Sequence, residues 1–131
     1  MKDETKEWLD YANENLRSAK ILLESDLYNP TLQNAQQAVE KMLKALCIEF
    51  SLKLRKTHSI NELAAILAAN NLNVGLTPDE CDLLDSIYLP SKYPLGSALP
   101  DFKPDTQTCG RCIAIAEHLK SNVTKLLKTS H

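Results

Sequence analysis

The stretch from Thr31 to Ser51 constrains the fold most. Ala35, Val39, Met42, Leu46 and Phe50 fall on one helical stripe, and Ala38, Leu43, Ala45, Cys47 and Ile48 widen it. A helix apolar over so much of its circumference needs neighbours on most sides, so it belongs in the middle of a bundle. What stays polar is narrow: Gln33, Gln37, Lys41 and Lys44, at steps of four, four and three.

Four more helices are legible around it. Trp8, Ala12, Leu16, Ala19 and Leu23 give one face of a helix from about Asp3 to Ser25, which Asn29-Pro30 is expected to stop. Ser59-Ile60-Asn61-Glu62 reads as a capping box opening a third helix to about Asn70. Asn71 to Leu76, with Gly75, makes a turn. Thr77-Pro78-Asp79-Glu80 then sets a capping threonine, a first-turn proline and two acids at the start of a fourth helix, ending near Leu89-Pro90. Residues 90–104 hold four of the six prolines and predict a long loop. The last helix runs from Asp105 or Thr106 to about Lys128 on Cys112, Ala116, Leu119, Val123 and Leu126. Mostly short connections make neighbours antiparallel. The expected fold is an all-α, up-and-down antiparallel bundle of about five helices, one domain over residues 1–131.

Composition narrows the function. Three glycines and 5% aromatic residues disfavour a sandwich or barrel. Fifteen Lys and Arg against seventeen Asp and Glu give a net charge of −2, which argues against a general nucleic-acid coat and leaves room for a local patch. No apolar run reaches the ~18–20 residues of a membrane span. Met1 to Glu7 carries both signs of charge and no apolar core of a signal peptide, so the expected location is the cytoplasm. Four cysteines do not make a disulfide framework there.

A basic stretch closes the central helix. Between Glu40 and His58, five basic residues (Lys41, Lys44, Lys53, Arg55, Lys56) face two acids, and Thr57 and His58 end it at the entrance to helix three. Free N–H groups, a hydroxyl, an imidazole and nearby cations suit a phosphate. An ordinary capped helix entrance beside a solvated charge run explains the same residues. His58 is equally readable as a structural histidine.

Three elements carry a family resemblance. Ala35-Gln36-Gln37-Ala38-Val39-Glu40-Lys41-Met42-Leu43-Lys44-Ala45-Leu46 resembles the characteristic helix of the HEPN family, the higher-eukaryote and prokaryote nucleotide-binding domains. Lys56-Thr57-His58-Ser59-Ile60 resembles its threonine–histidine element. Tyr88-Leu89-Pro90-Ser91-Lys92-Tyr93-Pro94 resembles its later tyrosine and arginine–tyrosine–proline element. Lys92 stands where the family has arginine, which keeps the charge and loses the bidentate fork. Asn34 stands where a bulkier residue is expected. The resemblance implies a helical bundle, usually a homodimer, acting on nucleotides or RNA. It also implies partnership with a small nucleotidyltransferase in a toxin–antitoxin-like pair. Several branches are metal-independent ribonucleases marked by an Arg, four to six residues and a His, with the site completed across the dimer. Arg55 and His58 fail that spacing; Arg111 and His118 meet it.

Arg111 and His118 are two turns apart on the last helix, about 10 Å along the axis. His118 would act as general acid or base and Arg111 would stabilise the phosphorane charge. Two polar residues facing solvent at a helical repeat is the plainer explanation. Cys109-Gly110-Arg111-Cys112 lacks the βαβ setting of a redox motif and the second ligand pair of a zinc site, so Cys112 reads as packing. Tyr88 and Tyr93 could stack on a base while Lys92 meets a phosphate, or could pin the loop on the bundle.

Three functions follow. The first is a dimeric nucleotide- or RNA-binding domain whose cleft is made by Gln37, Lys41, Lys44, Thr57, His58, Lys92 and Tyr93, with no metal or cofactor required. The second is a ribonuclease toxin using Arg111 and His118. The third is an interaction module that dimerises or docks a partner and binds no ligand.

Overall fold

The computed structural model describes residues 1–53, 56–92 and 104–129, with 89–92 by their backbone alone. Among them are five helices and no strand: α1 (Asp3–Glu24), α2 (Tyr28–Glu49), α3 (Ile60–Ala69), α4 (Pro78–Lys92) and α5 (Thr106–Thr129). α2 packs against all four others, while α1 also meets α5 and α3 meets α4. Twelve residues of α2 are buried against four of the equally long α1, so the helix with the broadest apolar surface is the central one. No helix among the described residues is long and apolar enough to cross a membrane.

Two prolines behave differently from expectation. Asn29-Pro30 lies inside the first turn of α2, not after the end of α1. A first-turn residue has no intrahelical partner for its N–H, so proline sacrifices nothing there. The break is made instead by Ser25, Asp26 and Leu27. Pro90 likewise does not end α4, which continues to Lys92.

Three helices end alike without glycine. Asp26, Ser51 and Asn71 adopt φ values of 58°, 54° and 63°, and a leucine follows each. The N–H groups of Leu27, Leu52 and Leu72 reach back to the carbonyls of Leu22, Cys47 and Leu67 at 3.0, 2.8 and 2.9 Å. This Schellman arrangement satisfies carbonyls the helix leaves open, and short polar side chains tolerate the left-handed backbone. At the other ends, Thr77 and Glu80 close a full capping box, Thr77 N to Glu80 Oε1 at 2.9 Å and Glu80 N to Thr77 Oγ1 at 3.1 Å. Asp105 caps α5 through Thr108 N at 2.7 Å, which holds its carboxyl below the usual range.

Candidate functional site

Gln33, at the start of the polar edge of α2, is exposed, while the rest of that edge faces α1 and the corner before α3. Gln37, Lys41 and Lys44 are all half-buried. At their centre is Glu40, whose side chain is only 4% exposed. Its Oε2 accepts from Lys44 Nζ at 2.9 Å and from His58 Nδ1 at 3.1 Å, and its Oε1 accepts from Gln36 Nε2 at 3.3 Å. Gln37 Nε2 donates in turn to Gln36 Oε1 at 2.8 Å. A buried carboxylate needs such company, because an unpaired charge in a low-dielectric interior is costly.

Both lysines are engaged. Lys44 Nζ also lies 5.7 Å from the centre of the Trp8 ring. Lys41 Nζ donates to Asn15 Oδ1 at 2.6 Å and lies 5.7 Å from the Tyr11 ring centre. Asn15 Nδ2 donates onward to Asn34 Oδ1 at 2.9 Å. Asn34 thus has a task that a bulkier side chain could not perform, since it bridges α1 and α2 in a polar ladder.

His58 is where this network reaches the surface. With Glu40 as acceptor, Nδ1 carries the proton and Nε2 is left for another partner. The ring stays 54% exposed and stacks on Tyr88 at 5.0 Å between centroids and 19° between planes. His58 and Tyr88, with Lys56, Thr57, Ser59 and Asp85, line a cleft of about 420 Å³.

The free N–H groups expected at the start of α3 are not free. Asp85, from α4, accepts from Ile60 N at 2.6 Å, Asn61 N at 3.2 Å and Ser59 Oγ at 3.1 Å. Ser59 Oγ takes Glu62 N at 3.2 Å, and Thr57 Oγ1 takes Ser59 N at 3.0 Å. A carboxylate already sits where a phosphate was expected to meet the helix dipole. What remains at the corner for an anion, among the described residues, is His58 and the exposed Lys56.

The structure therefore brings Gln37, Lys44 and His58 into one network, with Lys41 beside it and Thr57 at its rim. The Lys92 side chain and Tyr93 lie outside the described residues. Arg111 and His118 are exposed on α5, and neither takes a hydrogen bond or ion pair among the described residues. They do not join the Glu40 network, whose members come from α1, α2, the α2–α3 corner and α4. Glu40 was given no role of its own in the sequence reading, standing there as one acid in a basic run and one position of the helix element, and Asn15 and Asp85 had no place in it. The Glu40–Lys44 spacing of four, on a helix apolar nearly all round, is the signal that could have found the first.

The four cysteines are free and buried. Burial pushes the Cys112 thiol up to about 12, with Cys109 adding to the rise, so the CxxC packs and does not react as a thiolate. No group of three or more metal-binding side chains occurs among the described residues.

The family model for the HEPN domain matches residues 5–126. The chain is similar in fold to ST0689, an archaeal HEPN homologue, with a TM-score of 0.70 and 24% identity over 96% of this chain and 98% of that one. It is similar also to TT1696 from Thermus thermophilus, with a TM-score of 0.67 and 24% identity over 95% and 98%. At such identity the likeness is one of fold alone. No curated protein matches the chain. With the family match covering nearly the whole bundle, the central α2 and its threonine–histidine corner included, this chain belongs to the HEPN domain family.

Proposed function

We propose that this HEPN protein binds a nucleotide or RNA at the Thr57–His58 corner, works as a homodimer and acts beside a small nucleotidyltransferase in a toxin–antitoxin-like pair. The single observation that carries the ligand reading is His58, held through Nδ1 by a buried glutamate, stacked on Tyr88 and open at Nε2. Such a histidine costs little further ordering when its Nε2, once it carries a proton, donates to a phosphate oxygen. Tyr88 offers an aromatic face beside it, and Lys56 a cation at the rim. Gln37, Lys41 and Lys44 act from beneath by fixing Glu40 and the α1 contact. Lys92 and Tyr93 complete the cleft in this reading. The pairing with a nucleotidyltransferase rests on family membership.

A second reading is favoured by the exposure of Arg111 and His118, both unpaired among the described residues on one flank of α5. In it the chain is a metal-independent ribonuclease. His118 moves the proton and Arg111 meets the phosphorane charge, with the site completed across two subunits.

The test is binding of ATP and of labelled RNA at low salt, where phosphate contacts are least screened, together with an RNA cleavage assay. His58→Ala should weaken binding at least tenfold with an unchanged circular dichroism spectrum, and His118→Ala should leave it alone. Unchanged binding in His58→Ala would reject the corner as the site. Cleavage by the wild type that disappears in His118→Ala would establish the second reading.

A further inference from the structure

Away from the corner, α1 and α5 leave a groove of about 410 Å³ between them. Leu16 closes its apolar side, and Lys20, Lys120, Lys125 and Lys128 edge it, with Ser121 among them. Glu117 is the single acid in its lining and is held in an ion pair by Lys20. Lys120, Lys125 and Lys128 take no ion pair among the described residues. In a chain of net charge −2 this is a marked segregation of charge.

The helix dipole does not account for it. Cations complement the dipole only within the last turn, and of these three lysines only Lys128 is there. Lys120 lies more than two turns upstream. Lys120 to Lys128 covers about 12 Å of helical rise, a run of charge suited to an extended polyanion more than to one phosphate.

We propose that the α1–α5 groove is a track for the phosphodiester backbone of an RNA strand, with Lys120, Lys125 and Lys128 meeting successive phosphates. This deepens the nucleotide-or-RNA reading and rests on it, since it names RNA as a ligand and gives it a second contact surface. Each lysine that neutralises a phosphate of a single strand contributes about −0.7 to the slope of log K against log salt.

The experiment measures binding of a fluorescent 20-residue oligouridylate across a salt series, with ATP binding as a parallel arm. The triple variant Lys120→Gln, Lys125→Gln, Lys128→Gln should flatten the slope by about two and weaken RNA binding more than tenfold at low salt, while ATP binding is unchanged. Glu117→Gln, which frees Lys20, should tighten RNA binding. All four positions are exposed, and circular dichroism reports whether each variant folds. A triple variant that binds RNA with the wild-type slope overturns the groove and leaves the corner standing. So does a wild type that binds ATP and no RNA. A wild type that binds neither overturns both.

Discussion

Removing Glu40 should be far more damaging than removing an ordinary surface acid. Glu40→Ala strips the acceptor from Lys44 Nζ, His58 Nδ1 and Gln36 Nε2 at once. The Lys44 side chain is 12% exposed, so its ammonium is left covered without its anion, a situation that costs about 3–5 kcal/mol. His58 adds little, because its ring is more than half exposed and water can replace the bond. We expect a loss of about 3 kcal/mol. Glu40→Gln separates charge from geometry. Its amide oxygen can take the place of Oε2 and keep the Lys44 and His58 bonds, while its NH2 faces the Gln36 Nε2 donor and loses the third, so the cost should fall to about 2 kcal/mol. Adding Lys44→Met to Glu40→Ala removes the stranded cation and should recover more than half the loss. Urea unfolding followed by far-ultraviolet circular dichroism reads all three. With a slope of about 1–3 kcal/mol per molar urea, 3 kcal/mol lowers the midpoint by about 1–3 M. A cost for Glu40→Ala below about 1 kcal/mol, the level of exposed pairs, would refute the reasoning. So would a double variant no more stable than the single one.

Three further outcomes are expected. Gly75 has φ +79°, and a Cβ there would lie 2.5 Å from Asn122 Nδ2, the atom that donates to Val74 O. Gly75→Ala therefore adds backbone strain to a lost hydrogen bond and should cost about 2 kcal/mol in thermal unfolding. Asp85→Ala exposes the N–H groups of Ile60 and Asn61 and should cost about 1–2 kcal/mol, with faster hydrogen exchange confined to the first turn of α3. Burial raises Cys112 from about 9 to about 12, so above pH 9 the folded chain holds a proton that the unfolded chain releases. Stability is then complete below pH 9 and falls as pH climbs towards 12, which urea midpoints at pH 8 and pH 10 would reveal. A midpoint that is flat or rises over that interval would contradict the burial.

The place of α2 was legible because breadth of apolar surface is a property of one helix, readable from spacing alone. The caps at Ser59 and Thr77 were legible for the same reason: each is a four-residue pattern. The end of α1 near Ser25 was legible as a position, but not what makes it. Asp26 takes the left-handed turn that a glycine usually announces, and Pro30 is a breaker only if it falls beyond the first turn, which sequence does not state. The site divides in the same way. Gln37, Lys44 and His58 were legible as a polar edge and a corner, but Glu40 counted merely as one charge. One of its partners, His58, comes eighteen residues later. Asp85 fills the start of α3 from twenty-five residues away, so a helix N-terminus that looked open in sequence is closed in space. Cys112 was legible as a packing residue because it falls on the apolar stripe of α5, and burial raises its thiol and that of Cys109 alike.

The most direct measurement of the central claim is a nitrogen-15 spectrum of the His58 imidazole during titration with ATP. A proton fixed on Nδ1 in the free protein, followed by a large shift at Nε2 as ATP binds and a smaller one at Nδ1, is the predicted result. A His58 proton on Nε2 in the free state, or ATP binding that moves His118 and leaves both nitrogens of His58 untouched, would contradict it.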